Sequence, residues 1–110
     1  MSNTIEHGKS FTPEESIDYS PGAVVSKTIL KKPAGNITLF SFDEGEGLSE
    51  HSSPHEALIL ILDGRAEVTI GGTPQDVNKG ESIILPGNIP HSLKAKERFK
   101  MMLVMIKKEQ

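Results

Sequence analysis

Cysteine and tryptophan are both absent from this 110-residue chain. Without cysteine there is no disulfide, no thiolate-bound zinc, no iron–sulfur cluster and no thiol nucleophile. Aromatic residues are scarce, at 5%. Basic residues are outnumbered, 12 against 15 acidic, for a net charge of −3. That balance argues against the basic face of a dedicated nucleic-acid binder and against a polybasic membrane anchor. Long apolar runs are missing as well. Ala57–Leu62 and Met101–Ile106 span six residues each, whereas a membrane helix needs about 20. The opening residues, MSNTIEHGKS, lack the apolar stretch of a signal peptide, so a cytoplasmic location without membrane attachment is expected.

What is present is enough for one domain. Apolar residues make up 35% of the chain and charged residues 25%, too apolar and too well patterned for disorder. No internal repeat or low-complexity tract is visible. Residues 1–22 read as a polar tail with a short helix. Thr12-Pro13-Glu14-Glu15 offers a cap, a proline at the first helical position and a glutamate three residues after the cap. Ser20-Pro21-Gly22 stops it. Residues 23–110 read as strands. Apolar stretches at Ala23–Leu30, Asn36–Phe42, Leu58–Leu62, Arg65–Ile70, Gln75–Asn78, Ser82–Leu85, His91–Ala95 and Phe99–Ile106 are separated by Gly, Pro, Asn and Asp. Arg65–Ile70 alternates strictly, and Gly71-Gly72 after it signals a hairpin. Asp63-Gly64 is read as the end of one strand, and Asp43–Ser49 as a flexible acidic loop near the barrel mouth. Eight to ten short strands and one short helix predict an all-β sandwich or barrel. Leu58–Leu62 and Met101–Ile106 are apolar on both faces, so both faces must be covered. The barrel interior covers one. A second subunit or the N-terminal helix covers the other, and a homodimer is the expectation.

Chemistry concentrates in two segments that hold three of the four histidines; His7 lies in the polar tail. The first segment runs from Gly45 through His51, Ser53, Pro54, His55, Glu56 and Ala57 to Gly64. The second runs from Gly80 through Pro86, Gly87, Asn88 and His91 to Ala95. Their spacings resemble the two motifs of the cupin superfamily, in particular its small single-domain members with a conserved RmlC-like barrel. The resemblance covers residues 45–64 and 80–95. It implies a jelly-roll barrel, the double-stranded β-helix, with His51 and His91 facing each other inside. In metal-binding cupins the ligands are two histidines and a glutamate from the first motif and a histidine from the second. Here the second histidine position holds Ser53 and the glutamate position holds Ala57, so the site is degenerate. Asn88 replaces a glycine at a position that tolerates a left-handed backbone.

The open question is what the remaining residues bind. His51 and His91 are candidate ligands of a divalent transition metal such as Zn, Ni, Fe, Mn or Cu. His55 is a possible third, because in a straight strand residues 51, 53, 55 and 57 share one face. Pro54 interrupts that strand, which leaves His55 as a rim or interface histidine in the other reading. Without metal, His51, Ser53 and His91 become the polar contacts of a small-molecule pocket. Catalysis is not assigned by these residues. Lys94, Lys96, Arg98 and Lys100 read as solvated surface, and Met101, Met102 and Met105 as packing.

Overall fold

The computed structural model describes residues 5–109. Eight strands account for most of it: β1 (Val24–Lys32), β2 (Gly35–Phe42), β3 (Gly47–His51), β4 (Glu56–Ile70), β5 (Thr73–Asn78), β6 (Ser82–Leu85), β7 (His91–Lys94) and β8 (Phe99–Ile106). All pairings are antiparallel, in the order β1-β2-β8-β4-β7-β3, with β5 and β6 also on β4. The sheet curls on itself into two walls. The first wall is β1, β2, β8, β6 and the first half of β4; the second is β5, β7, β3 and the second half of β4. This is the all-β barrel expected from the strand pattern, in the jelly-roll form that the motif resemblance implies. Among the described residues no helix is long and apolar enough to cross a membrane.

β4 belongs to both walls, contrary to the expectation that Asp63-Gly64 ends a strand. Its pairing with β8 slips between Ile61 and Asp63, and Gly64 takes a left-handed φ of 72°. A bulge with a left-handed glycine bends a strand and lets pairing continue. Ile59 and Ile61 before the bend, and Ala66 and Val68 after it, all point inward and are buried. They meet Phe42, Val77, Leu85, Leu93, Ala95, Phe99 and Met101 in one core. Phe42 and Phe99 stack 4.4 Å apart at its centre.

Two other expectations are corrected. The N-terminal helix is a single 3₁₀ turn, Pro13–Glu15, and Thr12 makes no side-chain cap. Instead the Ser16 hydroxyl bonds back to the Thr12 carbonyl oxygen. The acidic loop is shorter than Asp43–Ser49, because Gly47–His51 is a strand on β7. Glycine at 47 permits this: a Cβ there would lie 2.3 Å from the Leu93 carbonyl oxygen. The turn before it is fixed by hydrogen bonds of Gly45 and Glu46 with Ala95. It lies at the far end of β3 from His51.

The chain's own N-terminal segment covers part of the first wall's outer face. Ser41 Oγ donates to the Asp18 carbonyl oxygen, Lys27 Nζ to that of Ser16 and Lys100 Nζ to that of Glu14. Tyr19 donates its hydroxyl to Asp63 at 2.6 Å, and Arg98 lies over its ring. Burial and the bond to Asp63 hold the Tyr19 phenol above its ordinary value. Ile17 of this strap is buried, and Leu39 on the outer face is completely buried. The basic run is accordingly absorbed in local pairs, Lys96 with Glu67 and Arg98 with Asp43.

Candidate functional site

His51 ends β3 and His91 begins β7, directly opposite each other in the register. Cross-strand partners share a face, so the pairing alone brings the two imidazoles together. Their ring centres lie 4.4 Å apart in an edge-to-face arrangement. His91 is 7% exposed, while His51 stands in solvent at the rim.

Each ring is oriented by a backbone carbonyl two residues before it. His51 Nδ1 lies 2.8 Å from the Ser49 oxygen, and His91 Nδ1 lies 3.3 Å from the Ile89 oxygen. A carbonyl oxygen only accepts, so the proton of each neutral imidazole sits on Nδ1. Both Nε2 lone pairs are left for another partner. Burial holds His91 below the ordinary imidazole value; the nearby His51 adds to this, and the bond to Ile89 opposes it. His91 is therefore neutral at physiological pH.

A cavity of about 100 Å³ opens beside the pair, lined by His51, Ser53, His55, Ala57, Leu85, His91, Leu103 and Met105. The strand does break between His51 and Glu56, yet residues 51, 53, 55 and 57 all reach this cavity. The two positions where the motif lacks its ligands therefore face the same space as His51 and His91. Asn88 ties the loop before His91 to the Ser53 segment. Its φ of 65° is left-handed, and its N–H donates to the Ser53 carbonyl oxygen at 2.7 Å. Leu85, Leu103 and Met105 form an apolar side that the motifs do not mark. The inward alternation of β8, set by the fully buried Phe99 and Met101, was the available signal for Leu103 and Met105.

The residues fit a metal only in part. Metal–nitrogen bonds of ~2.1 Å place two imidazole centres roughly 4.5 Å apart at the right angle of an octahedral ion and roughly 5.4 Å apart at the tetrahedral angle of zinc, and the 4.4 Å here lies at the short end of that range. The carbonyl-bound Nδ1–H groups are the usual second-layer support of a ligating histidine. Among the described residues, however, no group of three or more His, Cys, Asp or Glu converges. His55 does not complete the set. Its Nδ1 accepts the Lys108 N–H at 2.8 Å, so its neutral ring carries the proton on Nε2 and has no free lone pair. A metal here has two protein ligands, where catalytic sites use three and structural sites four.

Comparisons with known proteins agree with this picture of the fold. A conserved protein of unknown function from Streptococcus pyogenes is 38% identical, with a TM-score of 0.90 over 100% of this chain and 98% of that one. A Cupin 2 conserved barrel domain protein from Leptotrichia buccalis is 42% identical, with a TM-score of 0.82 over 84% of this chain and 45% of that one. A cupin superfamily protein from Desulfitobacterium hafniense is 26% identical, with a TM-score of 0.89 over 96% of each. No curated protein matches the sequence. The profile of the Cupin domain family matches residues 38–107. With both motifs, the barrel and the facing histidines in place, the chain belongs to the cupin family.

Proposed function

We propose that this chain is a small-molecule-binding barrel whose working centre is the pair of free Nε2 lone pairs on His51 and His91. One observation carries the reading. Both Nδ1 atoms are committed to backbone carbonyls, so both lone pairs are held ready beside a cavity whose remaining lining is mostly apolar. A polar pair on an apolar wall is the usual composition of a small-ligand site. Ligand-observed NMR with a library of small fragments tests it. Fragments that bind should be lost, by at least tenfold in affinity, in His91→Ala. Binding that is indifferent to both His51→Ala and His91→Ala refutes the reading.

The imidazole spacing favours a second reading, in which the same two nitrogens hold a divalent transition ion and the guest completes its shell. Such an ion binds weakly and competes with protons. Calorimetric titration with Zn, Ni, Mn, Fe and Cu salts should give binding at neutral pH that fades in acid, where protons compete for the ligating nitrogens. Loss of either His51 or His91 should abolish it. His55→Ala should leave it within a few-fold. The same protonation acts on stability. The folded His91 has a lower value than the unfolded one, so the unfolded chain binds more protons in acid. Stability therefore holds above about pH 6.5 and falls as pH drops from there toward the folded value. A pH series of denaturation midpoints that stays flat through this window rejects the burial argument.

The first wall supports a homodimer. In its registers Ile84, Leu58, Val104, Ile37 and Leu30 fall in one outward row across β6, β4, β8, β2 and β1. The N-terminal strap leaves the β6 end of this row open. Ile84 is 62% exposed, Ile106 66% and Leu58 40%. The second wall, by contrast, carries Arg65, Glu67, Lys94 and Lys96 outward. An apolar row beside charged surface suits a second copy of the chain. Light scattering should give about twice the 12.0 kDa chain mass, and Leu58→Glu with Ile84→Glu should return it to the monomer. A wild-type protein that scatters as a monomer at micromolar concentration rejects the dimer.

A further inference from the structure

The three imidazoles of the cavity are not equivalent. His51 and His91 each hold the proton on Nδ1 and offer Nε2 as an acceptor. His55 is the reverse. The Lys108 N–H donates to its Nδ1, so its proton sits on Nε2, where it is a donor. Ser53 Oγ accepts the His55 N–H at 3.1 Å, which leaves the Ser53 hydroxyl proton to be given. No Asp, Glu, Lys or Arg lines the cavity. The cavity thus presents two acceptors and two donors, no formal charge, and an apolar side of Ala57, Leu85, Leu103 and Met105.

Size narrows the guest further. A cavity of roughly 150 Å³ holds the six heavy atoms of benzene, so the about 100 Å³ here suits a molecule of roughly four to five heavy atoms. A carboxylate or ammonium guest would have no opposite charge to meet, and burying an unpaired charge is costly. We propose that the pocket selects small uncharged hydroxycarbonyl compounds, and that His55 is the residue that reads the carbonyl. The guest hydroxyl donates to Nε2 of His51 or His91, and its carbonyl oxygen accepts from Nε2–H of His55. This rests on the reading of the His51–His91 pair as the binding centre, and adds to it the direction of each hydrogen bond.

Nitrogen-15 NMR of the imidazole rings tests the pattern, with hydroxyacetone as the probe. In the free protein the expected result is an Nε2-protonated His55 beside Nδ1-protonated His51 and His91. An Nδ1-protonated His55 overturns the proposal. On titration, hydroxyacetone should move the Nε2 signals of the pair with a Kd on the order of 1 mM. Acetone, which lacks the donor, and acetate, which is charged, should bind at least tenfold more weakly. Two variants separate reading from support. His55→Gln places an amide N–H near the old Nε2 and gives up the bond to Lys108. His55→Asn keeps an acceptor near the old Nδ1 and removes the donor. The proposal requires His55→Asn to lose at least tenfold in hydroxyacetone affinity while His55→Gln stays within about threefold. The opposite order makes His55 a clasp for the C-terminal segment. It overturns the proposal and leaves the His51–His91 centre standing. If neither a metal salt nor any of the three probes moves the pair, the binding centre itself is wrong and the proposal falls with it.

Discussion

Replacing Ser53 by His and Ala57 by Glu together raises zinc affinity by on the order of 10⁴. Structural zinc sites with four ligands bind with about 10–16 kcal/mol, or roughly 3 kcal/mol per ligand. Two added ligands therefore contribute about 6 kcal/mol, and each 1.4 kcal/mol is tenfold in affinity. The gain depends on where the new side chains start. Ser53 and Ala57 already line the cavity that His51 and His91 share, so both replacements begin on the correct face. Each single variant should gain part of the effect, and the double variant roughly the product. Zinc calorimetry at pH 7.5 measures it, with His91→Ala in the double variant as the control that removes one ligand. A double variant that folds and binds zinc no more tightly than the parent means that positions 51, 53, 57 and 91 do not share a centre. The same variant should lose binding of small guests, because two larger side chains fill a cavity of about 100 Å³.

The largest stability effect is expected at the bend of β4. Gly64 has a left-handed φ of 72°, and a Cβ there would lie 2.2 Å from the Arg98 carbonyl oxygen and 3.1 Å from Phe99 Cβ. The first belongs to the peptide that leads into β8 and the second to the first residue of that strand, so neither can rotate away. Gly64→Ala therefore carries two costs: a backbone conformation worth ~1–3 kcal/mol in a non-glycine residue, and the displacement of β8 where Phe99 stacks on Phe42. The sum should exceed about 3 kcal/mol, a large part of the 5–15 kcal/mol that holds a domain of this size. Gly72 is the internal comparison. Its φ is 84°, yet nothing lies within 4 Å of the position its Cβ would take. Gly72→Ala should thus lose only the backbone share, ~1 kcal/mol. Urea denaturation of the two variants separates close approach from left-handedness. Equal midpoints would show that β8 yields without cost.

The same two glycines show how far the chain could be read without coordinates. Gly71-Gly72 ends an alternating strand and was legible as a hairpin. Asp63-Gly64 carries the same local signal but is a bend inside a strand, because Asp63 and Gly64 still pair with β8 and pairing with β5 and β7 takes over beyond them. Local residue preference does not report such long-range pairing. β3 was hidden for a related reason: Gly-Leu-Ser-Glu-His has little strand preference of its own, and its bonds to β7 hold it extended. The placement of the candidate residues was more legible than the fold's details. His51, Ser53 and His91 follow from motif spacing and the period of two along a strand. The proton position of His55 was not readable, because it is fixed by the backbone of Lys108, fifty-three residues away. Nor was the strap, since three of its ties are main-chain carbonyls that no side-chain pattern encodes.

One strand shared by both walls has a consequence for how the barrel responds to occupancy. β4 lines the cavity at Ala57, turns at Gly64 and ends at Ile70 beside His91, its cross-strand partner on the other wall. A guest held between the walls therefore closes a ring through a single strand, like a pin through both arms of a clip. Among the described strands β4 is the one tie of paired backbone between the two walls, so a guest that touches both adds a second. Occupancy is then felt by the whole molecule, with a stabilisation of RT ln(1 + [L]/Kd). Amide exchange along β4 should slow to the same degree on either side of Gly64, however one-sided the guest's own contacts are.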